Sequence, residues 1–136
     1  MKIPLFLLLI MMLSSCKAQE SAIKLLKYEA VTRGSFIEVS TDLSALNYKD
    51  SKTTKSIQLS ETQKKELRSL LEKVHHTKLK ELKAPSNKSY FDAALQATFT
   101  IKTTKELYKT NTFDHGNPPK ELKGLLDFLF KIIDKK

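Results

Sequence analysis

Few residues of this chain have side chains suited to chemistry, and they are scattered. Asp114 and His115 are adjacent. A carboxylate beside an imidazole is the raw material of an acid–base pair or of two metal ligands, although no third ligand is identifiable. The same segment, Asp114-His115-Gly116-Asn117-Pro118-Pro119, also reads as architecture. Gly116 permits positive φ, Asp114 or Asn117 is placed to cap a helix, and Pro118 suits a first helical position. On that reading the backbone of the loop matters more than its imidazole. His75 and His76 are also adjacent, so on a helix they point about 100° apart and do not share a metal as an i, i+4 pair does. Histidines near a helix C-terminus are ordinarily placed there by the helix dipole. Tyr90, in Tyr90-Phe91-Asp92 and close to Lys88, would suit a sugar ring or a partner if exposed, or would anchor its loop in the core. Tyr90, Asp114 and His115 are thus the candidate ligand or partner contacts. Thr98, Thr100, Thr110 and Thr112 would share one face of a strand pair, a recognition surface or simply the wet side of a sheet.

The missing motifs narrow the chemistry further. Glycine occurs only at positions 34, 116 and 124, which leaves no Gly-rich phosphate loop. The chain has no Gly-x-Ser-x-Gly elbow, no His-Glu-x-x-His and no Cys-x-x-Cys. No catalytic set is recognisable, so the expectation is a non-enzyme without metal or cofactor. Cys16 is the only thiol.

The segment before Cys16 accounts for it. Lys2 is followed by an apolar run of 11 residues, Ile3 to Leu13. Crossing a bilayer takes about 20, so the run fits the apolar region of an export signal. Leu13-Ser14-Ser15-Cys16 then resembles the lipobox of bacterial lipoproteins. An ordinary secretory signal would use an Ala-x-Ala-like site, and Lys17-Ala18-Gln19 offers no good one. The resemblance implies transfer of diacylglycerol to the Cys16 thiol and cleavage between Ser15 and Cys16, with membrane lipid as the first partner. Lys17 is not the Asp that retains enteric lipoproteins in the inner membrane, so the resemblance implies the outer membrane, facing periplasm or medium. Lys17 with Glu20 only partly matches the surface-export tag of some Bacteroidetes lipoproteins. Residues 1–15 are then a leader, 16–21 the lipidated cysteine and tether, and 22–136 one domain. Removing the leader leaves 121 residues, enough for one domain and short for two. With Cys16 acylated, that domain has no disulfide and is held by its core alone.

The 24 basic and 15 acidic residues give +9, or +8 once Lys2 is removed. Export takes nucleic acid out of reach, so none is expected as partner. Only Arg33 and Arg68 are arginines. Lysine is a hydrated point charge and lacks the planar fork of specific phosphate recognition. The excess therefore reads as a solvated surface with weak attraction to anionic lipid or glycan.

The patterning predicts the elements that position these residues. Ile23 to Thr32 and Ser35 to Thr41 form a hairpin about Arg33-Gly34. Leu46 to Tyr48 and Ser56 to Leu59 are short strands. Ser60 and Gln63 make a capping box for a helix with Leu67, Leu70, Leu71 and Val74 on one stripe, ending near His75 or His76. A loop follows through Pro85 to Lys88. Ala94 to Lys102 alternates strictly and pairs with a strand from Leu107 to Phe113. A last helix starts at Asn117-Pro118 and buries Leu122, Leu125, Leu126, Leu129, Ile132 and Ile133, with Phe128 and Phe130 widening the stripe. The fold class is α+β, a single domain with an antiparallel sheet of about five strands and two helices on one face.

Thr32-Arg33-Gly34-Ser35, Lys83-Ala84-Pro85-Ser86-Asn87-Lys88 and Phe113-Asp114-His115-Gly116-Asn117-Pro118-Pro119, following a lipobox, resemble segments of small lipoproteins or secreted proteins of Bacteroidetes. That resemblance implies a lineage and a fold shape and carries no catalytic residue. The leading expectation is a membrane-anchored envelope module that binds an envelope protein or anionic glycan. Two others stand beside it. One is an inhibitor of a secreted hydrolase presenting the Ala84 to Tyr90 loop, and its basic charge favours an acidic target. The other is a small hydrolase using Asp114 and His115.

Overall fold

The computed structural model describes residues 21–88 and 94–135. The leader, Cys16 and Tyr90 lie outside the described residues. Four strands come first: β1 (Ile23–Thr32), β2 (Ser35–Thr41), β3 (Ala45–Asp50) and β4 (Thr54–Gln58). Then follow α1 (Glu61–Glu72), a 3-10 helix (His76–Glu81), β5 (Gln96–Thr103), β6 (Leu107–Lys109), β7 (Phe113–Asp114) and α2 (Lys120–Asp134). The sheet runs β4-β3-β2-β1-β5-β6, all antiparallel, with β7 also pairing β5. The fold is the expected single α+β domain, and the seven strands among the described residues exceed the expected five or so because β4 is paired in full and the last strand is split.

Local chemistry explains most boundaries. The β1–β2 hairpin closes at Thr32 opposite Ser35, and Gly34 adopts φ +79 there, the left-handed turn a two-residue loop needs. Between β2 and β3, Asp42 Oδ1 accepts the amides of Ser44 and Ala45, and Thr41 Oγ1 accepts that of Leu43. These bonds hold Leu43 at φ 74, an uncommon backbone for a branched side chain. At the start of α1, Gln63 N–H donates to Ser60 Oγ and Ser60 N–H to Gln63 Oε1, so the expected capping box is formed.

Three boundaries differ from the sequence expectation. Helix α1 stops at Glu72, and the chain after His75 tightens into the 3-10 helix, which buries Leu79. The strand expected from Leu107 to Phe113 breaks at Thr110. There Phe99 N–H donates to the Thr110 side chain at 3.0 Å instead of to its carbonyl, and Asn111 Nδ2 ties the chain to the carbonyl of Lys80. Thr110 is therefore buried and does not share a wet face with Thr98 and Thr100. Finally, Pro119 takes the N-cap position of α2 with no side-chain cap, so Asn117 is not the cap and Pro118 is not the first helical residue.

The core lies on one face of the sheet. Leu26, Tyr28 and Ala30 of β1 align with Ile101, Phe99 and Ala97 of β5, and Tyr28 with Val39 of β2. All seven are essentially inaccessible. Against them pack Leu67 and Leu71 of α1 and the six expected positions of α2. A Cβ added at Gly124 of α2 would meet Leu70 Cδ2 at 3.8 Å, so the two helices approach each other there. The opposite face of the sheet is open. At its centre Glu29 and Glu38 stand directly across from one another, and Lys27 Nζ reaches both, at 2.8 and 3.1 Å.

Candidate functional site around Asp114 and His115

Three segments meet at the end of β7. The short β7 pairing sets Asp114 opposite Gln96 and Phe113 opposite Ala97. His115 N–H then donates to the carbonyl of Leu95, which fixes the chain as it leaves the sheet. Gly116 adopts φ +82, as expected, and turns the backbone toward α2. Asn117 N–H closes the turn on the carbonyl of Asp114 at 2.9 Å.

The adjacent side chains of Asp114 and His115 point to different places. Asp114 is buried, and its Oδ2 accepts from Ser86 Oγ at 2.5 Å and from the backbone amide of Lys88 at 2.8 Å. Asn117 Nδ2 donates to the same Ser86 oxygen at 2.8 Å. Asp114 and Asn117 thus brace the Pro85-to-Lys88 loop from across 28 and 31 residues of sequence. An ionised carboxylate is acceptor-only, so it can take several such donors, and a buried one requires them.

His115 turns inward. Its Nδ1 lies 2.6 Å from the hydroxyl of Tyr28, and its ring packs near those of Tyr28 and Phe130. Burial drives the Tyr28 phenol well above its ordinary range, so the phenol keeps its proton and donates it to Nδ1. The backbone of Gly116 is hydrogen-bonded to the same phenol oxygen. Nδ1 is then the acceptor, and a neutral His115 carries its proton on Nε2. Desolvation lowers the imidazole pKa below its ordinary value, which keeps it neutral.

The carboxylate and imidazole that looked like one pair in the sequence therefore serve two separate structural roles. The architectural expectation holds for Gly116; the helix cap expected of Asp114 or Asn117 is not formed, because both side chains secure a remote loop and neither caps α2. It needs correction at His115, whose imidazole is as structural as the backbone because it satisfies a buried phenol. Sequence reasoning missed Tyr28 and Ser86. Tyr28 is an inward position of an alternating strand, and a buried tyrosine needs a partner for its hydroxyl, which was the available signal.

His75 and His76 do not join this site. His75 is exposed at the start of the 3-10 helix, beyond the end of α1, so neither histidine sits on α1's last turn. His76 packs edge-on to Tyr108, ring centroids 5.0 Å apart. Both border a shallow cleft of about 640 Å³ between α1, Leu43 and the root of β1. Among the described residues, no three His, Cys, Asp or Glu side chains are grouped to hold a metal ion. No helix among them is long and apolar enough to cross a membrane. No model of a known family, no curated protein and no solved structure matches the chain.

Proposed function

We propose that the chain is a lipid-anchored envelope module that binds a partner and performs no catalysis, held through Cys16 in the outer membrane. The observation that carries the non-catalytic part is the divergence of Asp114 and His115. An acid–base pair of this type needs a carboxylate to orient the imidazole and a free nitrogen aimed at substrate. Here Tyr28 holds Nδ1, and the Asp114 oxygen is spent on Ser86 and Lys88. The anchor rests on the apolar run and on Leu13-Ser14-Ser15-Cys16. The partner is an envelope protein or an anionic glycan. The first test is metabolic labelling with radioactive palmitate. Wild type takes up label and Cys16→Ala does not, and equal labelling of both would refute the anchor. The second is affinity capture of the tagged lipoprotein from its own envelope, with a glycan or protein retained in constant ratio as the expected outcome.

The bracing of Ser86 and Lys88 favours a second reading, an inhibitor of a secreted hydrolase. Inhibitory loops gain affinity by being held in shape before binding, and Pro85 to Lys88 is so held. Titrating acidic secreted hydrolases with the domain tests it, and stoichiometric loss of activity would favour it over the first.

A further inference from the structure

The chain joins the domain at one end of the sheet, and that end is stitched to the β5–β6 turn. Ile23 aligns with Thr103, and Thr104 N–H donates to the carbonyl of Ala22 at 2.9 Å. A register shift between Ile23 and Leu25 leaves Lys24 exposed beside it. On the open face, Leu25 aligns with Lys102 and Lys102 with Leu107, a row of leucine, lysine and leucine across three strands. Leu107 is 61 % exposed, an unusual position for leucine on a domain whose other leucines mostly enter the core. Lys109 follows two residues on, on the same face, and Lys105 stands exposed in the turn. The acidic member of the turn, Glu106, is hydrogen-bonded to the Tyr108 hydroxyl.

We propose that this rim, Leu25 and Leu107 set among Lys24, Lys102, Lys105 and Lys109, is the surface on which the domain rests against an anionic phospholipid bilayer. An apolar side chain ringed by lysines suits the headgroup region: leucine enters the acyl boundary while the lysines meet phosphates. The rim also lies where the bilayer would be. On the lipid-anchored reading, on which this inference rests, Cys16 precedes Ser21 by five residues, and five residues span at most about 17 Å. The end of the domain carrying Ala22 and the β5–β6 turn is therefore the end nearest the acyl chains. An acyl anchor combined with a basic patch holds a protein to a membrane more durably than a single chain does.

The test uses the chain from Lys17 onward without acyl group, which keeps every core residue from Leu26 to Ile133. Flotation with phosphatidylcholine vesicles is compared with flotation on vesicles that also contain phosphatidylglycerol. The domain should bind the anionic vesicles, weaken as salt rises, and ignore the neutral ones. Lys102→Glu with Lys109→Glu should reduce partitioning about tenfold or more, and Leu107→Ser severalfold. Lys120→Glu with Lys131→Glu, on α2 across the sheet, should change it far less. Equal partitioning to both vesicle types overturns the proposal. So does an equal loss in the α2 variant, or a preference for dextran sulfate over anionic vesicles. Palmitate labelling separates the two readings. A chain labelled at Cys16 whose free domain ignores anionic vesicles keeps the anchor and loses the rim. A chain without label whose domain binds them loses the anchor and keeps the rim.

Discussion

Tyr28 of the first strand and His115 of the loop before the last helix are 87 residues apart in sequence, yet phenol oxygen and imidazole Nδ1 are 2.6 Å apart. The bond joins the centre of the sheet to the segment that aims α2 across it. It also makes a titratable group part of the fold.

Stability should therefore depend on pH through His115. Burial holds the folded imidazole below its ordinary 6.5. Between the folded value and 6.5 the unfolded chain binds more protons, so stability is full above that window and is lost as pH falls through it. Asp42, Asp50 and Glu61 also have lowered values, but their contribution disappears at more acidic pH, below the ordinary carboxylate range. Thermal unfolding followed from about pH 7 down to about pH 5 should show a falling midpoint in wild type and a flatter profile in His115→Gln. An unchanged slope in the variant would assign the effect elsewhere. Tyr28→Phe removes the same bond and should cost about 1 kcal/mol.

Asp114→Ala should loosen the 85–88 loop while sparing the sheet. The change leaves the Ser86 hydroxyl and the Lys88 amide without their carboxylate partner. A cost of about 1–3 kcal/mol is expected for losing a buried charged acceptor. Amide hydrogen exchange should accelerate at Lys88 and stay slow at Phe99. Unchanged protection at Lys88 would mean that the loop is held by something else.

Gly116→Val should destabilise the domain, because a β-branched residue is strained at φ +82. No neighbouring atom lies within 4 Å of an added Cβ, so the loss comes from the backbone and not from a clash. Gly116→Asn, which tolerates left-handed φ better, should recover part of the loss in the same melting experiment. Equal midpoints for Val and Asn would remove the backbone explanation.

Gly124→Ala should act in the opposite direction. Gly124 lies inside α2 without positive φ, and an added methyl meets Leu70 Cδ2 at an ordinary 3.8 Å. Exchanging helical glycine for alanine is worth about 1 kcal/mol. A higher denaturant midpoint is expected, and a lower one would mean that the helices cannot accommodate the methyl.

Leu71→Ala and Leu126→Ala should each cost about 2–5 kcal/mol, since both side chains are buried where the helices face the sheet. A denaturant midpoint unchanged in either variant would contradict the packing.

The sequence by itself determined the parts of this protein governed by local rules. The hairpin at Arg33-Gly34, the capping box of Ser60 and Gln63, the alternation of β5 and the stripe of α2 all follow from period, turn chemistry and propensity within a few residues. Those signals sufficed for an α+β sheet carrying two helices. Only the tertiary structure decided what the polar side chains outside such local motifs do. Thr110 breaks its strand because Phe99 offers it an amide from another strand. Asn117 leaves the helix cap because Ser86 lies within reach. Asp114 and His115, adjacent in sequence, separate because buried donors wait for them in opposite directions. A polar side chain bonds whatever the fold brings to it, and such partners stand 11 to 87 residues away in sequence. The rim beside the root of β1 was hidden for the same reason: Leu25, Lys102 and Leu107 become neighbours only when β1, β5 and β6 pair in register.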